Sequence, residues 1–180
     1  ECHDLESDSP QWSPHAPVAD GNCTACHDPH NSAQPDLLVT ATEFICILCH
    51  DDLVDDQVAV SIHPPAEDAC LDCHLPHGGD GPVFLKEPVP ALCFQCHDEN
   101  NDDFLKVHLN RNPLQLDCNG CHEPHQSAFS GLLRPSAHPP FEERDCSTCH
   151  EDNQPITDQA SLCSDCHDEL PDPNNSKLIV

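Results

Sequence analysis

Seven times in 180 residues the chain repeats Cys-x-x-Cys-His: Cys23–His27, Cys46–His50, Cys70–His74, Cys93–His97, Cys118–His122, Cys146–His150 and Cys163–His167. The spacing has a chemical reason. Two cysteines three apart can each form a thioether to one haem vinyl group while the adjacent histidine turns its imidazole onto the iron, the attachment pattern of a c-type haem. The motifs use Cys23, Cys26, Cys46, Cys49, Cys70, Cys73, Cys93, Cys96, Cys118, Cys121, Cys146, Cys149, Cys163 and Cys166, every cysteine except Cys2. Structural zinc sites usually take their remaining ligands from a second cluster at variable spacing, and a disulfide scaffold leaves the seven attached histidines unexplained. A thioredoxin-type redox motif occurs once, beside a βαβ pattern that is not visible here. Covalent haem c is the reading that uses every residue of the motif.

A chain so loaded with cofactor needs little core of its own. Aromatic residues make up 4% and there are nineteen prolines, too few and too many for an ordinary apolar interior at this length. The expected fold is therefore mostly irregular coil with short helices wrapped around a row of c-type haems, with little or no β-sheet and with the haems as the core. Leu, Val, Ile and Phe beside each motif are expected to pack on porphyrin, and the chain without haem to have no stable fold.

The formal net charge of -27 makes nucleic acid an unsuitable partner. Acidic pairs such as Asp51-Asp52 and Asp55-Asp56 read as solvated surface. No segment reaches the apolar length of a membrane span. The tail Lys177-Leu178-Ile179-Val180 either docks on a neighbour or frays. Glu1 opens no signal peptide, so the chain is expected to be processed or to begin partway through its precursor.

Aligned on one another, the motifs expose a longer repeat of about 47 residues. Cys23–His30, Cys70–His77 and Cys118–His125 share the extended form Cys-x-x-Cys-His-x-Pro-His. An apolar patch follows each (Leu37-Leu38-Val39, Val83-Phe84-Leu85, Leu132-Leu133). After the first two patches comes one plain motif with an acidic residue behind it; after the third come two. This arrangement resembles the doubled-motif multihaem cytochromes c over nearly the whole chain, and the added motif at Cys146 departs from their doublet pattern. The resemblance implies one multihaem domain over residues 1–180, built of repeats at approximately 15–62, 63–107 and 108–180. It also implies haem attachment outside the cytoplasm, in the periplasm or at the cell exterior.

The opening Glu1-Cys2-His3-Asp4-Leu5 reads like the end of an eighth plain motif, since Cys49–Leu53 and Cys166–Leu170 are nearly the same. Three readings stay open: a haem held by Cys2 and a cysteine outside this sequence, a haem held by Cys2 alone, or a free cysteine near a frayed terminus.

Methionine is absent, so histidine must supply both axial positions of every iron. His3, His27, His50, His74, His97, His122, His150 and His167 follow a cysteine and are the proximal candidates. His15, His30, His63, His77, His108, His125 and His138 are the distal candidates. Of these, His15, His63, His108 and His138 precede a motif by seven to ten residues. The other three lie three residues beyond a proximal histidine, on the same side of a turn, while the two ligands of one iron approach opposite faces. His30, His77 and His125 are therefore expected to ligate a neighbouring haem, which sets the haems in a row along which electrons can hop. Fifteen histidines fall one short of what eight doubly ligated irons need.

Catalysis is not expected. Related nitrite reductases replace the motif histidine with lysine, whereas every motif here ends in histidine; hydroxylamine-oxidising relatives use a tyrosine cross-link, and tyrosine is missing. The expected function is electron transfer through bis-histidine haems, as a subunit of an extracellular cytochrome filament. The alternative is a soluble periplasmic carrier, and a multihaem reductase the lesser one. The partners expected are further copies in haem-to-haem contact, redox proteins and extracellular acceptors.

Overall fold

The computed structural model describes residue 9 and residues 11–150 apart from 82, 136, 137 and 144. The proposed haem attachments at Cys2 and His3 and at Cys163, Cys166 and His167 lie outside these residues. The described chain is mostly coil, with helical turns of three to six residues and two small two-stranded sheets.

Each of the first five motifs coils for one turn because its histidine closes an α-type hydrogen bond onto its first cysteine. The backbone N–H of His27 donates to Cys23 O at 3.0 Å, His50 to Cys46 at 3.0 Å, His74 to Cys70 at 2.9 Å, His97 to Cys93 at 3.0 Å and His122 to Cys118 at 2.8 Å. A turn of this pitch places residues three and four apart on one side. Both sulfurs and the imidazole thus leave the backbone together.

The three extended motifs continue into a loop that returns to them. Asp28 N–H donates to Leu37 O and Val39 N–H to Cys26 O; Leu75 to Phe84 and Lys86 to Cys73, and Glu123 to Leu132 and Arg134 to Cys121, repeat the pair at 2.7–2.9 Å. At the tip of each loop the backbone turns left-handed, at Asp36 and Leu37 (φ 53° and 57°), at Phe84 (50°) and at Gly131 and Leu132 (71° and 58°). For a side chain such as Leu37 this costs about 1–2 kcal/mol, and the flanking hydrogen bonds hold it in place.

Four short strands join successive repeats: β1 (Trp12–Pro14), β2 (Ser61–Ile62), β3 (Gly78–Asp80) and β4 (Gln126–Ser127). β1 pairs antiparallel with β3, Pro14 opposite Gly78, and β2 pairs with β4, Ile62 opposite Gln126. The chains approach closely at Gly78 (φ 149°), where a Cβ would run into Ser13 O and lie 2.8 Å from Pro14 Cα.

The chain divides into two compact units, residues 1–97 with 114–134, and 98–113 with 135–180. The first holds all four strands. The second holds the helix Asp102–Val107, capped by the Asn101 side chain accepting from Phe104 N–H at 3.0 Å, and the turns Pro139–Glu142 and Cys146–Thr148. Polypeptide alone makes almost no core: among the described residues Leu92 is the buried apolar side chain and none is fully enclosed. Phe44, Leu48, Val60 and Val83 stand at least half exposed. No helix of the described residues is long and apolar enough to cross a membrane.

Candidate functional site

The first unit gathers its histidines in pairs. The His15 and His50 ring centroids lie 6.2 Å apart, His27 and His77 6.1 Å, His63 and His97 6.1 Å, and His74 and His125 6.0 Å, with ring planes within 30° of parallel. Each pair joins a motif histidine to one of the seven others. Contacting rings approach closer than this, but metal–nitrogen bonds of about 2 Å on either side of one ion separate two imidazole centroids by about 6 Å. The spacing therefore fits a single metal between two ligands, four times over.

The partners obey a rule of order. The histidine of the second Pro-His pair, His77, sits against the first extended motif, and His125 of the third sits against the second; neither turns to the histidine three residues before it. His15 and His63, ahead of extended motifs, reach the plain motifs at His50 and His97.

Backbone carbonyls set the orientation of the rings. Nδ1–H of His27 donates to Asp36 O at 2.7 Å, that of His74 to Val83 O at 2.8 Å and that of His122 to Gly131 O at 2.9 Å. His15 donates likewise to Pro76 O at 3.1 Å and His63 to Pro124 O at 3.0 Å. A carbonyl can only accept, so each bond fixes the tautomer with hydrogen on Nδ1 and frees Nε2 as a ligand. The left-handed loop tips thereby acquire a purpose: they aim the carbonyls at the rings. Burial, then the neighbouring His74 and His63, press the His125 pKa below the ordinary histidine value, which favours the neutral form that can act as a ligand.

The sulfurs meet from motif to motif. Burial, with a hydrogen-bonded Cys70 thiol beside it, pushes the Cys46 thiol up to about 11, and burial with Cys118 does the same for Cys93. Cys73 is raised by burial and then by Asp72 and Cys96. Second and third motifs, and fourth and fifth, thus touch through the atoms that the attachment chemistry uses. No disulfide joins the cysteines of the first five motifs or Cys149, and no group of three or more His, Cys, Asp or Glu side chains among the described residues converges as a metal cluster would.

Other candidates stand differently. His30 lies 3.6 Å from Asp28 with its side chain 89% exposed. In the second unit His108 donates Nδ1–H to Phe104 O at 2.8 Å, its ring 4.2 Å from that of Phe104. His138 caps the turn Pro139–Glu142, its carbonyl accepting from Phe141 N–H at 2.8 Å, and Cys149 and His150 are half-buried at the end of the sixth motif. The carbonyls of Asp36, Pro76, Val83, Pro124 and Gly131 escape a reading of the sequence; the signal that could have found Asp36, Val83 and Gly131 is the fixed offset of nine residues from histidine to loop tip, whereas Pro76 and Pro124 lie 61 residues from His15 and His63.

Residues 15–55 and 63–102 match a family model described as a doubled CXXCH motif. No curated protein matches the chain significantly. The match is consistent with a multihaem c-type cytochrome, and the CXXCH motifs imply haem c binding, the chemistry of electron transfer.

Proposed function

We propose that the chain carries electrons along a row of bis-histidine c-type haems as a subunit of an extracellular cytochrome filament. The observation that supports this best is the set of four imidazole pairs at 6.0–6.2 Å, two of which link one extended repeat to the next. Haem c, when bound, supplies reversible one-electron exchange at iron. The residues that would hold it are the paired cysteines of each motif as thioethers, with His27 and His77, His50 and His15, His74 and His125, and His97 and His63 as axial pairs.

The protein's own contribution is position and orientation. His77 is three residues from His74 yet sits against His27, so one short turn ties two attachment sites together; His125 does the same for His74 and His122. Carbonyl-bound Nδ1 makes the imidazoles stronger donors, which favours the oxidised metal and sets potentials at the low end of the axial-ligand range. The reading assigns no turnover, since doubly ligated iron offers no open position to a substrate. A soluble periplasmic carrier is the second reading, favoured by the formal charge of -27, which keeps separate molecules apart.

Electron paramagnetic resonance of the oxidised holoprotein, with a pyridine haemochrome count, tests the assignment. Low-spin bis-imidazole signals accounting for the iron are expected. A mainly high-spin spectrum, or zinc in place of iron, would overturn it. Electron microscopy separates the filament from the carrier.

A further inference from the structure

Each imidazole pair of the first unit joins one ring anchored on a backbone carbonyl to one that is not. His27 and His74 are anchored, on Asp36 O and Val83 O, while His77 and His125 opposite them are not. At the plain motifs the order is reversed. There His15 and His63 are anchored, on Pro76 O and Pro124 O, while the motif histidines His50 and His97 are not. Among the described residues no hydrogen bond reaches a ring nitrogen of His50, His77, His97 or His125.

The asymmetry matters because the two histidines of a pair are not equally free to leave. A motif histidine sits in the same hydrogen-bonded turn as its two cysteines, so His50 and His97 keep their place without a carbonyl. A distal histidine has only its own surroundings. Three contacts keep His15: Nδ1–H donates to Pro76 O at 3.1 Å, backbone N–H donates to His77 O at 2.9 Å, and the Phe84 ring stands edge-on at 5.9 Å. His63 has the first two, on Pro124 O and His125 O at 3.0 and 2.9 Å. Once off the iron, such a ring stays beside it and rebinds at high effective concentration. The backbones of His77 and His125 are fixed by these same bonds, yet their rings turn away by side-chain torsion alone. The carbonyl-bound ring across from each is also the stronger donor, so the weaker bond of the pair is the one to His77 or His125.

We propose that His77 and His125 are the releasable axial ligands, so that a small neutral ligand of ferrous iron strong enough to displace an imidazole, of the nitric oxide class, binds at the haems of the first and third motifs and is refused at those of the second and fourth. The exchange breaks the bond from Nε2 to iron and forms one from the nitrogen of nitric oxide; the imidazole leaves neutral, and no proton or further electron is needed. The formal charge of -27 disfavours anionic ligands and leaves a neutral one unopposed. An iron held ferrous in this way drops out of the hopping row, so these two sites are where such a ligand halts electron flow. The proposal rests on the imidazole pairs being haem ligands, and names which of them lets go.

The test adds nitric oxide to the reduced holoprotein without oxygen, counts nitrosyl iron per chain by integrated magnetic resonance and follows its formation by absorbance. Haem count by mass checks each variant. In the native protein nitrosyl iron is expected to form in a phase whose rate does not rise with nitric oxide concentration, because ring release sets it. His77→Ala and His125→Ala should each leave the final count unchanged and move one iron from that phase into a fast, concentration-dependent one. His15→Ala and His63→Ala should each raise the count by one. A count that rises by one in His77→Ala overturns the proposal, since His77 is then not displaced in the native chain. An unchanged count in His15→Ala overturns it too, since His15 then lets go as readily. If neither His77→Ala nor His15→Ala shows a new high-spin iron before nitric oxide is added, the axial pairing itself fails and the proposal falls with it.

Discussion

A histidine whose Nδ1–H is spent on a carbonyl has one nitrogen left to offer, and its ring no longer rotates freely. That explains why His27, His74 and His122 each carry a loop behind them: the loop delivers an acceptor, at Asp36, Val83 and Gly131, to a fixed place. Removing the imidazole opposite should be felt at once. His77→Ala is expected to leave the iron at His27 with one axial ligand, giving a high-spin signal and new carbon monoxide binding, while the haem count by mass is unchanged. Acid should act later than for an ordinary histidine. Because the His125 pKa is lowered, protons compete poorly for its ring; stability from the neutral form is full above about 6.5 and fades as pH falls below it. A pH titration of the low-spin absorbance should hold through that value and decline below it. The candidate ligands were legible from histidine number and from the lack of methionine, since ligand chemistry resides in side-chain type. Their carbonyl partners were not, because every residue has a carbonyl and only the fold selects which one points inward.

Motif turn, loop and strand form one unit, and its parts fail together. Gly78 lets β3 lie against β1, and β1 delivers His15 to the second motif. Gly78→Ala should therefore cost about 1–3 kcal/mol through overpacking against backbone, read as a lowered Tm, and should raise carbon monoxide binding at the His50 iron. Gly81→Ala is the control, with open space around its Cβ but a φ of 82°, and should cost about 1 kcal/mol. The coil and short helices followed from proline content and motif spacing. The strand pairs did not, because two or three residues such as Ser61-Ile62 are too short to show alternation, and their pairing depends on partners more than sixty residues away.

Among its described residues the molecule as a whole has no apolar interior beyond Leu92, which fits the proposal that haems supply the core. Protein prepared without haem is expected to show a disordered far-ultraviolet spectrum and rapid hydrogen exchange throughout. Intact mass of the holoprotein should show at least seven haems. Reduction by a cationic donor should slow as salt rises from about 10 to 150 mM, since the attraction of a surface charged at -27 is screened; a rate independent of salt would place the entry point away from that field. Partners separated by fifty residues, as His27 is from His77, also impose a calendar on biogenesis. On the proposed pairing, a chain threaded outward from its N-terminus would present His27 and His74 long before His77 and His125 have emerged to cap them, whereas His50 and His97 would follow their partners His15 and His63. Maturation of such a protein would be a relay in which each later Pro-His turn finishes the extended motif born before it, and a stalled intermediate would betray itself by an unguarded haem at its last extended motif.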